Sequence, residues 1–216
     1  ETLEWIDNFE KKEKIIFWDI GSNIGLYSVY AAATIENIEV ISFEPSTSNL
    51  RILSRNISIN NLEKKIKIFQ LPLGLNKNQF LEFSERKFNE GESHNSLDKN
   101  IDFEGKKLDP MNSYQVLSTN IDQVIDDKIL DIPNYIKIDV DGIEHLILKG
   151  GIKLLKNTKI SEIQIEINEN YSEQLNSVMK IMNECMFKFK EKKRNDSKEY
   201  YLDHKFSKIY NYYFVR

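Results

Sequence analysis

The sequence predicts an α/β fold, a mostly parallel β-sheet with helices on both faces. Three observations carry that expectation. Short apolar runs alternate with helical stretches from Ile15 to Leu71, a small-residue loop (GSNIG) joins the first run to the first helix, and acids stand near the ends of two successive runs, Asp19 and Glu44. Strand and helix alternating at this spacing imply parallel pairing through right-handed crossovers. With 216 residues the chain is long enough for a sizeable core, and one domain over 1–216 is the simplest expectation.

Residues 1–14 form a polar lead-in whose apolar members, Leu3, Trp5, Ile6 and Phe9, have amphipathic spacing. Ile15 to Trp18 is an apolar run that reads as a buried strand. Gly25 to Thr34 is alanine-rich with no internal breaker and reads as a helix, and Glu39 to Phe43 reads as a second strand stopped by Glu44-Pro45. Ser46 offers an N-cap to a helix that carries Leu50, Leu53 and Ile57 and ends on Asn60-Asn61. Ile66, Ile68 and Leu71 alternate on a third strand ending near Pro72, and Phe80 to Phe83 reads as a further short strand.

The polar stretch 85–110, with Gly91 and Gly105, reads as one long irregular insertion, a kind of segment that is usually functional or disordered. Tyr135 to Val140 is the next buried strand, followed by a helix through Leu146, Leu148 and Leu154. Ile163 to Ile167 alternates as a strand, and Tyr171 to Met186 places Leu175, Val178, Met179 and Met182 on one helical face. FKFKEKKR and IYNYYFVR close the chain as an antiparallel pair at the sheet edge, the charged first run reading as a solvated edge strand.

Composition removes several function classes. A net charge of −4 argues against a non-specific nucleic-acid binder, whose affinity rests on neutralising phosphates. Cys185 is the only cysteine, so neither an internal disulfide nor a cysteine metal cluster is available. No run of about 18 apolar residues is present and there is no secretory signal pattern, so a cytoplasmic enzyme is expected. The chain begins at Glu1 rather than Met, which leaves room for an upstream piece.

In an open parallel sheet, ligands bind off the carboxyl ends of the strands where strand order reverses. The first strand-to-helix loop is then the natural cradle, since glycine lets backbone approach a ligand. Here the glycines Gly21 and Gly25 are four apart, unlike the GxGxxG of dinucleotide binders, and Asp19 precedes them. A carboxylate there suits a ligand with an amino group and a positive centre and would repel a pyrophosphate. A tight turn with Asp19 as a cap is the plainer alternative. Glu44 lies 23 residues (44 − 21) beyond Gly21, against the ~20 expected for an acid that grips ribose hydroxyls. Its two acceptor oxygens match two vicinal hydroxyl donors; a solvated strand end is the alternative.

With "FWDIGSNIGLYSVYAA", "ISFEPSTSNLRILSRNISINN" and "IKIDVDGIEHLILKGG" in this order, and "LSTNIDQVI" and "IQIEIN" in support, the sequence resembles the FkbM-type family of S-adenosylmethionine-dependent methyltransferases over about Ile15 to Asn168. The resemblance implies a Rossmann-like seven-stranded, mostly parallel sheet with an antiparallel C-terminal strand. It implies S-adenosyl-L-methionine as cofactor and transfer of its methyl group, most often to a hydroxyl (O-methylation) of a sugar, glycan or small natural product. By motif, Asp19, Gly21, Ser22, Asn23 and Gly25 would line the methionine and ribose side, Glu44 would hold the ribose, and Asp139 would lie under the reactive end. Two departures stand out: Asp141 replaces a usual Glu, and the stretch after the third strand is "FQLPLG", without the acid that many methyltransferases place near adenine.

The fourth-strand cluster packs Asp139, Asp141, Glu144 and His145 past a buried strand. A hydroxyl nucleophile needs a proton acceptor in reach, and Asp141 and Glu144 are the catalytic candidates; capping of the following helix is the alternative. His145 reads as a surface residue. Asp-x-Asp with a nearby Glu also suits a divalent cation and would fit a nucleotide-sugar glycosyltransferase using Asp139 and Asp141. That class lacks the acid-and-glycine loop on the first strand, and no metal is expected. In the insertion, His94, Asn95 and Ser96 are candidates for binding an acceptor or are simply solvated. Tyr200, Tyr201, Phe206, Tyr210, Tyr212 and Tyr213 are more readily sheet packing than a sugar platform. A catalytically inactive module that keeps the cofactor site is the remaining alternative.

Overall fold

Residues 15–20 (IIFWDI) are buried throughout, the pattern of a strand covered on both faces. The structure, a computed structural model, describes residues 1–87, 89–93, 95–98, 104–107, 110–194 and 207–216. A short helix α1 (Thr2–Asp7) leads into β1 (Ile15–Ile20), α2 (Leu26–Thr34), β2 (Ile38–Phe43), α3 (Thr47–Ile59) and β3 (Ile66–Phe69). Then come β4 (Gln79–Glu85), β5 (Ser96–Leu97), β6 (Asn112–Ser118), α4 (Ile121–Asp126) and β7 (Tyr135–Ile138). The chain closes with α5 (Glu144–Lys149), α6 (Ile152–Leu155), β8 (Glu162–Asn168), α7 (Ser172–Glu184), β9 (Lys188–Lys193) and β10 (Ile209–Val215).

Seven strands form the main sheet in the order β3-β2-β1-β7-β8-β10-β9. β3, β2, β1, β7 and β8 are parallel. β10 runs antiparallel to both β8 and β9, so β9 points with the first five and β10 alone is reversed. Strand order reverses at β1, between β2 and β7, so a ligand site is expected off its carboxyl end. On one face Phe17, Val40 and Tyr135 pack with Trp5, Ile6, Ala31, Ala32 and Leu53 of α1–α3. On the other, Trp18, Ile41, Ile136 and Ile165 pack with Val124, Ile147, Leu155 and Val178 of α4–α7.

Three sequence expectations are corrected, and one strand, β6, was not expected. The insertion 85–110 is not wholly irregular, because Ser96–Leu97 pairs with β4 and, with β6, makes a second, three-stranded antiparallel sheet. β6 escapes notice because its alternation is half polar and its partner lies some thirty residues back. The helix after β7 is two short helices, interrupted where Gly150 and Gly151 press against the Gly74 backbone and Ile121, leaving no room for a side chain. On α7 the buried positions are Gln174, Val178, Ile181 and Met182, with Met179 exposed.

A buried acid ties the small sheet to the N-terminus of α3. Glu85 (1% exposed) accepts from Ser46 Oγ at 2.7 Å, Asn112 Nδ2 at 3.2 Å and Tyr114 Oη at 3.4 Å. Ser46 also takes the N-cap role expected of it, accepting from Asn49 N. Phe83 and Leu97 of the small sheet are thereby held in the core beside the strand ends.

Candidate active site

A cavity of about 370 Å³ opens over the carboxyl ends of β1, β2, β3 and β7, within the size range of small-molecule sites. Its wall is built from the loop after β1 (Gly21, Ser22, Asn23), Glu44, the residues after β3 (Leu71, Leu73), Phe83 and Leu97 of the small sheet, Gly91, Glu92, Ser93, Asn95 and Ser96, and Lys137, Asp139 and Asp141. Gly25 and Asp19 lie behind that wall.

The glycine loop is closed on itself. Gly21 N and Ser22 N both donate to Phe43 O (3.1 and 3.0 Å), Gly25 N donates to Ser22 O (2.8 Å), and Asn23 N donates to Glu44 Oε2 (2.8 Å). These four amides are spent inside the protein, so they do not form the phosphate cradle of a dinucleotide site. Gly21 is required for a different reason. Its φ is +82°, and a Cβ there would lie 2.8 Å from Asp139 C and closer still to its carbonyl oxygen. The glycine lets β1 and β7 part without collision.

Glu44 is 5% exposed and lies on the cavity wall. Its Oε1 accepts from Ser46 N (2.9 Å) and its Oε2 from Asn23 N (2.8 Å), which fixes the carboxylate plane and leaves each oxygen a further lone pair. Burial pushes its carboxyl up to about 7, with the Ser46 and Asn23 amides pulling the other way. The folded form thus holds this proton more tightly than the unfolded chain. The resulting stability is fully present below the ordinary value of 4.5 and is lost as pH rises through about 7, a swing of about 3 kcal/mol. Donated hydroxyl hydrogen bonds favour the anion, so a ribose ligand is expected to bind more tightly as pH rises towards about 7, releasing a proton on binding below that pH and none well above it. Titration calorimetry in two buffers checks this; in Glu44→Gln both the pH dependence and the proton release should vanish.

Behind the loop a buried polar chain crosses the sheet. Ser42 Oγ donates to Ser28 Oγ (2.7 Å), which donates to Asp19 Oδ2 (2.6 Å). Asp19 Oδ1 is 3.7 Å from Lys137 Nζ, which donates to Asp139 Oδ2 at 2.9 Å and stands 4.8 Å over the Tyr27 ring. Asp19, at 0% exposure, therefore faces Lys137 and Ser28 and not the cavity. Burial raises its carboxyl, offset in part by Lys137; burial alone would lower Lys137, but Asp139 and Asp19 outweigh it and hold the ammonium charged. Sequence reasoning passed over Lys137, although a lone cation in YIKI, a strand buried at all four positions, was the available signal.

The loop after β7 takes its shape from Glu144. Asp141 and Gly142 have left-handed φ values of +62° and +111°, a region Asp and Gly tolerate better than most residues. Glu144 Oε1 accepts from Val140 N (3.1 Å) and Gly142 N (3.3 Å), and its Oε2 from Gln174 Nε2. It is 1% exposed and absent from the cavity wall. Glu144, expected to take a proton from an acceptor, has its Oε1 on two amides of the loop and its Oε2 on α7. Asp139 and Asp141 do reach the cavity. His145, expected at the surface, is fully buried with the Tyr171 ring edge-on to it. Glu166 of β8, also passed over as an acid–base group, has its carboxyl raised well above the usual range by burial and by Asp139, Asp141 and Glu144.

Gly91 and Glu92, which follow β4, line the cavity and are tied to the loop after β1 and to α3. Asn23 Nδ2 donates to Glu92 O (3.2 Å) and Gly91 O (3.4 Å), while Asn49 accepts from Gly91 N (2.8 Å) and donates to Glu92 O (3.2 Å). Asn49, which the sequence reading did not single out, is thus half of a latch. Asn95 and Ser96 lie on the wall; His94 lies outside the described residues, as do Tyr200, Tyr201 and Phe206. Tyr212 and Tyr213 pack into the sheet. Among the described residues no group of three or more His, Cys, Asp and Glu side chains is disposed to hold a metal ion, and no helix is long and apolar enough to cross a membrane.

The family model described as the methyltransferase FkbM domain matches residues 19–189. The chain belongs to the FkbM methyltransferase family. A crystal structure of methyltransferase FkbM from Methylobacillus flagellatus KT is similar at TM-score 0.63 and 16% identity, covering 97% of this chain and 45% of that one. This chain thus spans under half the length of that relative. A precorrin-6y C5,15-methyltransferase from Geobacter metallireducens GS-15 is similar at TM-score 0.57 and 11% identity, over 100% of this chain and 86% of that one. M. capricolum TrmK, solved with S-adenosyl-homocysteine, is similar at TM-score 0.53 and 12% identity, over 99% and 66%. At these identities the likeness is one of fold. A search of curated proteins finds no match. The FkbM-domain fold and its methyltransferase neighbours do not favour the glycosyltransferase alternative.

Proposed function

We propose that this FkbM-domain chain uses S-adenosyl-L-methionine to methylate a hydroxyl of a sugar, glycan or small natural product. The observation that carries the reading is Glu44, a carboxylate aligned on the cavity wall at the end of β2, beside a loop whose amides are already satisfied. The residues present fit the cofactor's parts. Glu44 offers acceptors to two ribose hydroxyls, the Asp139 and Asp141 carboxylates favour a cationic centre, and Leu71, Leu73, Phe83 and Leu97 offer an apolar slot to a flat base. The side-chain oxygens of Asn23 and Asn95 are enclosed and accept no hydrogen bond among the described residues, which suits a ligand rich in donors.

When bound, the cofactor supplies an electrophilic methyl group on a sulfonium. The chain's contribution is orientation, exclusion of water and custody of one proton. Lys137 fixes the Asp139 carboxylate by a 2.9 Å hydrogen bond, and Gly91 and Glu92, latched by Asn23 and Asn49, form part of the cavity wall. Asp141, held out on the braced loop, is positioned to accept the acceptor's hydroxyl proton. A cytoplasmic setting belongs to the same reading and rests on the sequence.

Asp141→Asn is therefore expected to fold and to bind adenosylhomocysteine like the parent, yet to lose methyl transfer by ~10²-fold or more. Parent-like turnover in that variant would remove Asp141 as the base. The acceptor class is tested by mass spectrometry of products formed from adenosylmethionine and a panel of sugars, glycans and hydroxylated natural products. Methyl ethers are the expected result. Methylation only at nitrogen contradicts the hydroxyl assignment, and cofactor binding without turnover on any acceptor corresponds to an inactive module.

A further inference from the structure

Gln174 shares the buried face of α7 with Val178, Ile181 and Met182, where a side-chain amide is costly unless its polar atoms are met. Its Oε1 accepts from Asn168 N at 2.9 Å, at the end of β8, and its Nε2 donates to Glu144 Oε2. Glu144 in turn accepts on Oε1 from Val140 N (3.1 Å) and Gly142 N (3.3 Å), the amides on either side of Asp141. We infer that Gln174 is a positioning residue for methyl transfer, which turns Glu144 against those two amides and so sets where the Asp141 carboxylate points. The inference rests on the cofactor reading above, with Asp141 at its reactive end, and deepens it.

This chain of hydrogen bonds can run in one direction only. A backbone N–H can only donate, so the carboxamide oxygen of Gln174 faces Asn168 and the carboxamide nitrogen faces Glu144. Three donors then converge on Glu144, which as a carboxylate has no hydrogen to set against them. Glu144 and Gln174 are 1% and 2% exposed, which leaves little room for water to replace a lost partner. Asp141 holds φ at +62° and Gly142 at +111°. A non-glycine residue keeps that backbone conformation only where its surroundings impose it, and here both flanking amides are held by Glu144. Asp141 lies on the cavity wall, while Glu144 and Gln174 do not. They act on the site through the backbone of Asp141.

Exchanging the two side-chain types tests the inference. Glu144→Gln alone sets amide nitrogen against amide nitrogen, and Gln174→Glu alone sets carboxylate against carboxylate. In the double variant E144Q/Q174E every bond of the chain can re-form. The carboxamide now on α5 accepts from Val140 N and Gly142 N and donates to the carboxylate now on α7, which accepts from Asn168 N. The quantity to read is the ratio of the affinities of the full chain for adenosylmethionine and adenosylhomocysteine, measured by calorimetry. The two ligands differ by the methyl group and the positive charge on sulfur, and a well-placed Asp141 carboxylate favours that charge. Each single variant is expected to lower the ratio by about 3- to 10-fold, with adenosylhomocysteine bound much as in the parent, and the exchange should restore it. The single variants change the net charge in opposite directions, so a loss in both cannot come from charge alone. Asp141→Asn should lower the ratio by itself, and adding Gln174→Glu to it should bring no further loss. If a single variant fails to fold, Gln174→Asn, which draws the amide back by one methylene, should show the same loss. A ratio unchanged in the single variants, or not restored by the exchange, overturns the inference while the cofactor reading stands. A ratio unmoved by Asp141→Asn overturns the placing of Asp141 and the inference with it. Failure of the parent to bind adenosylhomocysteine overturns the cofactor reading itself.

Discussion

Gly21→Ala is expected to destabilise the protein by more than about 4 kcal/mol and to leave little of it folded. The added methyl group would lie 2.8 Å from Asp139 C and still nearer its carbonyl oxygen, at a φ of +82°. The obstacle is backbone at the end of β7, pinned by the Asp139 N to Ile20 O bond of 3.0 Å, so it cannot swing aside as a side chain would. Gly25→Ala is the control. Its φ is +89°, but the methyl would meet the tip of Leu53 at 2.5 Å, and a flexible side chain can yield, so the cost should be nearer 1–3 kcal/mol. Urea melts of the two variants check the order. Equal, mild losses would mean that β1 and β7 do not abut as described.

Lys137→Met is the second large effect. The lysine is 1% exposed and stands between Asp139 Oδ2 and Asp19 Oδ1. Methionine matches its length but leaves the Asp19 carboxylate enclosed without a cation, and removing one partner of a buried ionic group costs about 3–5 kcal/mol. For a chain of this size that is roughly 10 °C in Tm. The loss should fall when Asp19→Asn is added, because the variant amide carries no charge to compensate; the double-mutant cycle should show a coupling of about 1–3 kcal/mol. Strict additivity would mean that the two groups do not interact.

Most of the βαβ framework was legible because its signals are local. The apolar run at Ile15, the Ser46 cap and the alternation at Ile163 each specify an element within a few residues. β6 was not legible, since its Tyr114, Val116 and Ser118 acquire meaning only through pairing with β4. Roles within the site were harder still. The place of Glu44 at the end of β2, on the cavity wall, was legible from spacing, because the intervening helix sets the distance between successive strand ends. Asp19 and Glu144 were placed among the functional acids, but no local pattern separates an acid that faces a cavity from one that faces Lys137 or folds back on two backbone amides. His145 was misread for the same reason: a six-residue helix such as α5 has too few turns for its pattern to show which face is covered. Lys137 was hidden by convention, since a cation within a strand reads as solvated until the strand is known to be central.

The measurement that bears most directly on the account is the affinity of adenosylhomocysteine for the parent chain and for Glu44→Gln, with NAD as the competitor ligand. The account predicts that the parent binds adenosylhomocysteine and not NAD, and that Glu44→Gln weakens binding by about 1–3 kcal/mol through loss of a charged, two-point contact. Binding of NAD with no response to adenosylhomocysteine, or an affinity unchanged in Glu44→Gln, would contradict it.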